Sequence, residues 1–233
     1  MRKVAVYVEG MTELVFVYHT ILTHYSSDWT AFYLDFVSAS PSERIHLQHP
    51  YGDENANNQF LIYNCGSDEG VIPTMIERFP SHIAQGFDCV IGLRDVHGTR
   101  YFDIYKAGHE KIEWPKVNAL MQDLETTVAS ADSSGKMSIR FSIMEIEAWL
   151  LAMPELLMDA FTSFPYDKIA SIDPEIAFVH PFKELKDLVP YDKHFGIVEH
   201  IFSHLTPNYL DALLKSGKCA SFTRFYDCLF NVN

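Results

Sequence analysis

The stretch VAVYVEGMTELVFV, residues Val4 to Val17, carries the reading of the fold. Its first part, together with Lys3, alternates and is rich in β-branched residues, which predicts a strand over residues 3–8. The apolar run stops at Glu9-Gly10. Thr12 is placed to cap a helix, and residues 13–25, ELVFVYHTILTHY, carry apolar side chains at helical spacing. Two carboxylates, Glu9 and Glu13, therefore stand at the seam between a buried strand and a helix. A carboxylate there is costly to bury unless a metal ion, a bound substrate or a helix N-terminus answers it.

The alternation of strand and helix continues down the chain. Residues 31–37, AFYLDFV, predict a second strand, and residues 38–58, rich in Ser, Pro, Asn and His, a loop. Residues 59–64, QFLIYN, predict a strand ending at Cys65-Gly66-Ser67-Asp68, with a helix following through about residue 84. FDCVIGL, residues 87–93, is an almost continuous apolar run, as expected of a central strand buried on both faces. It ends in Arg94-Asp95-Val96-His97-Gly98. After a loop over 99–115 and a helix over 116–130 comes a strand over 137–143, MSIRFSI, then Met144-Glu145-Ile146-Glu147-Ala148-Trp149. Beyond it, short helices are broken by Pro154, Pro165, Pro174, Pro181, Pro190 and Pro207. The expected class is α/β, with a mostly parallel sheet flanked by helices. The expected organisation is an α/β domain over residues 1–150 and a helical C-terminal extension over 151–233, packed on the same core.

Composition narrows the function classes. Of the 233 residues, 48% are hydrophobic and 14% aromatic, which favours a packed core over disorder. No apolar window is long enough to span a membrane, and MRKVAVYVEG reads as a first strand rather than a signal peptide. Cys65, Cys89, Cys219 and Cys228 show no paired spacing, so all four are expected to be reduced and structural, in a cytoplasmic protein. A net charge of −13 argues against a broad basic grip on nucleic acid, but not against phosphate met through a bound divalent cation. No Walker A loop, GxSxG or GxGxxG occurs, so ATP hydrolysis, serine esterase chemistry and dinucleotide binding have no support.

In parallel sheets ligands bind beyond the carboxyl ends of the strands. Three acidic clusters fall at that position: Glu9 with Glu13, Asp95 with His97, and Glu145 with Glu147. Taken singly, each could cap a helix, complement its dipole or form a turn. If the strands are parallel neighbours the three converge, and carboxylates brought together repel unless a divalent cation takes the charge. Mg²⁺ and Mn²⁺ prefer such oxygen ligands.

VYVEGMTELVFV followed by IGLRDVHG resembles a Toprim domain, the Rossmann-like metal-binding fold of topoisomerases, bacterial primases and the overcoming-lysogenization-defect nucleases. FSIMEIEAWLLA and the closing SFTRFYDCL are similar to a family of short bacterial Toprim-like proteins that resemble the nuclease half without its ATPase half. The resemblance implies a metal-dependent hydrolase of phosphodiesters, using Mg²⁺ or Mn²⁺ on a nucleic-acid substrate, with a role in phage defence. It assigns Glu9 to metal binding and acid–base catalysis. It assigns Glu13, Asp95, Glu145 and Glu147 to metal binding, with Gly10 allowing a tight turn. Arg94 is a candidate contact for a substrate phosphate or a partner for the acids. The alternative implication is a non-catalytic or partner-dependent module acting with a separate ATPase.

His97 departs from the pattern, which has Asp there. His binds Mn²⁺ or Zn²⁺ but is a poor Mg²⁺ ligand. A softer metal, a degraded metal position and a loss of catalysis all remain open on this residue. Asp103 is a weaker substitute from the following loop, and His46, His49 and Asp53 read as solvated loop residues. Trp149 and Leu150 are expected to pack their helix on the sheet, and Lys183, Lys186 and Lys193 to form a solvated face.

Overall fold

The computed structural model describes residues 1–38, 47–97 and 111–230. His46 and Asp103 lie outside the described residues. The strands are β1 (Arg2–Val8), β2 (Phe32–Ser38), β3 (Tyr51–Gly52), β4 (Asn58–Asn64), β5 (Cys89–Asp95) and β6 (Met137–Ser142). The helices between them are α1 (Met11–His24), α2 (Asp68–Ala84) and α3 (Trp114–Ala131). The helices that follow are α4 (Glu147–Leu151), α5 (Pro154–Ala160), α6 (Tyr166–Ile169), α7 (Pro174–Ala177), α8 (Pro181–Leu188), α9 (Phe195–Ser203), α10 (Pro207–Ser216) and α11 (Ala220–Phe230).

The sheet has six strands in the order β3-β2-β4-β1-β5-β6. β1 is parallel to both neighbours, pairing Val4 with Phe60 on β4 and with Cys89 on β5. β2 is parallel to β4, and only the two-residue β3 runs antiparallel, at the edge. The Val90 N–H donates to the Lys136 carbonyl and the Val96 N–H to the Ser142 carbonyl, so β6 follows the direction of β5. This is an α/β fold with a mostly parallel sheet flanked by helices, as the alternating pattern predicts. The FDCVIGL run supplies a buried interior strand that begins at Cys89 and extends to Asp95, but the middle of the sheet belongs to β4 and β1.

By compactness the chain divides into two units, Met1–Arg94 with Gln122–Arg140, and Asp95–Met121 with Phe141–Asn233. In the first unit Val4 to Val8 are fully buried, as befits a parallel strand covered on both faces. α1 buries Thr12 to Tyr18 without a break, so it is apolar almost all round. Its N-cap is Gly10, not Thr12, which is a buried residue inside the helix. The helix starts directly off the strand: the Leu14 N–H donates to the Gly10 carbonyl at 3.1 Å. Gly10 is extended (φ −157°, ψ −161°), a conformation open to any residue, so the tight turn expected of it is not what requires glycine.

Gly92 of β5 is a glycine for want of space. An added Cβ would lie 3.1 Å from Ile139 Cδ1 and 3.3 Å from Met75 Sδ and Val71 Cγ1. Gly92→Val is expected to overpack this contact and cost about 1–3 kcal/mol, read from denaturant unfolding.

The same unit buries a polar pair. Tyr7 on β1 meets His82 on α2, Oη to Nε2 at 2.5 Å. Burial pushes the Tyr7 phenol up and, with Arg78 second, pulls the His82 imidazole below its ordinary 6.5. Folding therefore favours neutral His82. That contribution is complete above pH 6.5 and is lost as pH falls from there toward the depressed folded value. Wild-type stability is expected to fall more steeply below pH 6.5 than that of His82→Gln, measured by unfolding at a series of pH values.

The second unit is built from short helices around Trp149, Tyr191, Phe202, Phe222 and Phe225. Four of the prolines expected to break helices instead open them: Pro154, Pro174, Pro181 and Pro207 occupy first positions, where the missing N–H costs nothing. Trp149 packs against the helices that follow it. Its ring stacks on Phe225 of α11 at 5.7 Å, and its indole N–H donates to Glu175 and Ser221. No helix among the described residues is long and apolar enough to cross a membrane.

Candidate acid–histidine site

Glu9, Gly10, Glu13 and Arg94 belong to the first unit. Glu9 follows β1 and is half-buried, and Glu13, in the first turn of α1, is 4% exposed. Burial pushes the Cys65 thiol at the end of β4 up to about 12, with the Glu9 charge adding to the rise. Cys65 is therefore a neutral thiol, not a nucleophile. Arg94 is buried and donates to Asp68 at 3.3 Å. Asp68, the first residue of α2, lies outside the three acidic clusters.

Asp95, His97, Glu145 and Glu147 belong to the second unit, where they are linked in pairs but no three of their ligand atoms gather within 4.8 Å of one another. Asp95 ends β5, 5% exposed, and its Oδ1 accepts from the Ser142 hydroxyl and, at 3.0 Å, from the Ile146 N–H. It thus holds the amide between Glu145 and Glu147. The backbone supports the same turn: the His97 N–H donates to the carbonyl of Met144, which is left-handed at φ 67°. Asp95 therefore has a turn-forming role whatever else it does.

His97 Nδ1 lies 3.8 Å from Glu145 Oε1, and Glu145 Oε2 accepts from the Phe182 N–H at 2.9 Å. The His97 and His180 rings meet edge to face, 5.1 Å apart. Burial first, then the charges His180 and Lys193 can carry, pull His97 down to about 4. At pH 7 its imidazole is neutral, so the Glu145 contact is no ion pair and the ring nitrogen suits a metal.

Glu147 is completely buried. Its Oε1 accepts from the Tyr191 hydroxyl at 2.9 Å and faces the Lys193 ammonium at 3.4 Å. Its Oε2 has no hydrogen-bond partner among the described residues. Burial pushes its pKa up, Glu145 pushes the same way, and Lys193 and Tyr191 oppose them. Lys193 is thus no member of a purely solvated face. His180, Tyr191 and Lys193 escape a sequence reading because none falls at a motif spacing or follows a sheet strand.

A further group appears in this unit. Asp173, Glu175 and Cys219 offer ligand atoms within 4.8 Å of one another and could hold a metal ion. Their atoms already do structural work. Glu175 accepts from Trp149 and from Ser221, and Asp173 from the Glu175 and Cys219 N–H groups. The Cys219 thiol, pushed up by burial, donates to the Ala148 carbonyl. Asp173 and Glu175 also line a cavity of about 300 Å³ with Trp114, Met121, Ile176 and Arg224.

No protein-family model, curated protein or solved structure matches this chain. The reading of the site rests on its chemistry.

Proposed function

We propose that this chain is a divalent-metal-dependent phosphodiester hydrolase of the Toprim kind. The observation that carries the reading is Glu147: a fully buried carboxylate with one unpartnered oxygen, in the electrostatic company of Glu145. A buried polar atom without a partner costs about 1–3 kcal/mol, and a cation beside it would remove that cost. The donor types suit such an ion, carboxylates from Glu145 and Glu147 and an imidazole from His97, although their ligand atoms do not gather within 4.8 Å of one another here. Glu9, Glu13 and Asp95 enter the proposal through the motif they resemble.

In this reading the ion would lower the pKa of water and offset charge developing on a phosphodiester. Asp95 holds the turn that presents Glu145 and Glu147. Tyr191 fixes the Glu147 carboxylate by its Oε1. Phe182 fixes Glu145 through its backbone amide. Glu9, half-exposed, is the group assigned to proton transfer. Arg94 stays with Asp68 and orients that end of α2.

The experiment is cleavage of end-labelled single- and double-stranded DNA and RNA by purified protein with Mn²⁺. Cleavage that stops with a chelator and returns with added ion supports the reading. Absence of cleavage on every substrate opposes it.

A second reading has its own observation. Asp95 is engaged in the turn and Glu147 is countered by Lys193, so part of the acid set is answered within the protein. This favours a module that keeps the fold and gains activity only with a separate ATPase. Cleavage that appears solely on adding such a partner would select it.

A further inference from the structure

We propose that the cavity beside Asp173 binds a small zwitterion, a free α-amino acid with an apolar or aromatic side chain. The inference goes beyond the metal reading and does not rest on it, since no residue of the acid–histidine site lines this cavity.

The cavity lies within the second unit. α3 contributes Trp114, Asn118 and Met121, which stand at i, i+4 and i+7 and so share one face of the helix. α7 and its cap contribute Ile176 and Asp173, and α11 contributes Arg224. The volume of about 300 Å³ stands at the lower end of the range for small-molecule sites, about 300–1,000 Å³. It suits a ligand of amino-acid size.

The walls are apolar, and folding leaves part of them in water. Trp114 is 36% exposed and Ile176 is 63% exposed. Met121 and the buried Ile143 continue the same lining. A hydrocarbon or aromatic group seated between them takes apolar surface out of water on both sides.

The polar groups set the charges of the ligand. Asp173 uses only Oδ1, which accepts from the Glu175 and Cys219 N–H groups; Oδ2 accepts no hydrogen bond among the described residues. Glu175 beside it gives its two oxygens to Trp149 and Ser221, and so belongs to the framework. Oxygens of the two acids lie within 4.8 Å of each other, which makes this end of the cavity negative. The nearby Lys218 ammonium is directed to the Ala170 carbonyl instead. Arg224 makes no ion pair or hydrogen bond among the described residues, with Asp173 or any other. One ligand that carries an ammonium for Asp173 and a carboxylate for Arg224 answers both, and a guanidinium fork matches a carboxylate in two bonds. An amine alone leaves Arg224 unanswered, and an acid alone meets the two carboxylates with nothing to offset them. The Asn118 amide adds a donor and an acceptor at the rim.

The test is calorimetric titration of the full chain with L-phenylalanine and L-leucine, beside glycine, phenethylamine and phenylacetate. It is repeated on Arg224→Gln and Asp173→Asn, with circular dichroism confirming that each is folded. Arg224 is exposed, and asparagine keeps an oxygen for the two N–H groups that Asp173 holds. The inference expects saturable binding of phenylalanine or leucine. It expects affinity lower by about tenfold or more for glycine, for either singly charged analogue, and for the amino acid in each variant. No heat from either apolar amino acid overturns it. Phenethylamine bound as tightly as phenylalanine, or an Arg224→Gln isotherm equal to wild type, overturns the carboxylate contact and with it the zwitterion. Mn²⁺ that displaces the amino acid from wild type but does not bind Cys219→Ser makes the Asp173 group a metal centre and overturns the assignment.

Discussion

Trp149→Ala is expected to destabilise the protein by about 3–5 kcal/mol, the largest effect of any single truncation considered. The side chain is fully buried and stacks on Phe225 while Phe222 meets its edge. Removing it leaves a cavity where three elements meet, since Trp149 lies on α4, Phe225 on α11 and its acceptor Glu175 on α7. It also takes one donor from a carboxylate that is 4% exposed. Trp149→Phe separates the terms: it restores much of the volume but not the N–H, so its cost should be smaller. Chemical denaturation of the two variants beside wild type measures both. Equal costs would mean that the hydrogen bond to Glu175, not the packing, dominates.

Glu9→Ala is expected to lower Mn²⁺-dependent cleavage by about 10²–10⁴-fold, the range for losing a positioned acid or base. Glu9 is half-buried at the end of β1, outside the fully buried run Val4–Val8. The substitution should therefore leave folding stability within about 0.5 kcal/mol of wild type. A rate loss with intact stability assigns Glu9 to chemistry. An unchanged rate removes it from the mechanism, and a rate lost together with stability makes its role structural. The neighbouring Cys65 offers no substitute nucleophile, because its thiol is pushed up to about 12.

Much of the fold is legible from local patterns. The alternating runs KVAVYV and QFLIYN and the apolar run FDCVIGL become β1, β4 and β5, since periodicity reports burial directly. What local pattern does not report is order across the sheet, which places β5 beside the edge strand β6 instead of at the centre. The two-residue β3 is too short to leave a periodic trace. The cap of α1 falls on Gly10 because the helix begins directly at the strand end, before Thr12 can act.

The site divides the same way. Asp95, Glu145 and Glu147 are visible because each follows a strand. Their partners are not: Phe182, Tyr191 and Lys193 come from a proline-rich stretch where the sequence shows only short helices. The Arg94 contact falls on Asp68, the first residue of α2, which no sequence motif links to Arg94. Such contacts depend on tertiary packing between segments far apart in the chain, and no spacing rule encodes them.

The most direct test of the account is calorimetric titration of metal-stripped wild type and Glu147→Gln with Mn²⁺. Glutamine keeps the size of the side chain and an oxygen for the Tyr191 hydroxyl, but gives up the charge and one acceptor. The account predicts saturable binding to the wild type and affinity weakened by about tenfold or more in the variant. Identical isotherms for the two proteins, or no heat of binding in the wild type, would contradict it.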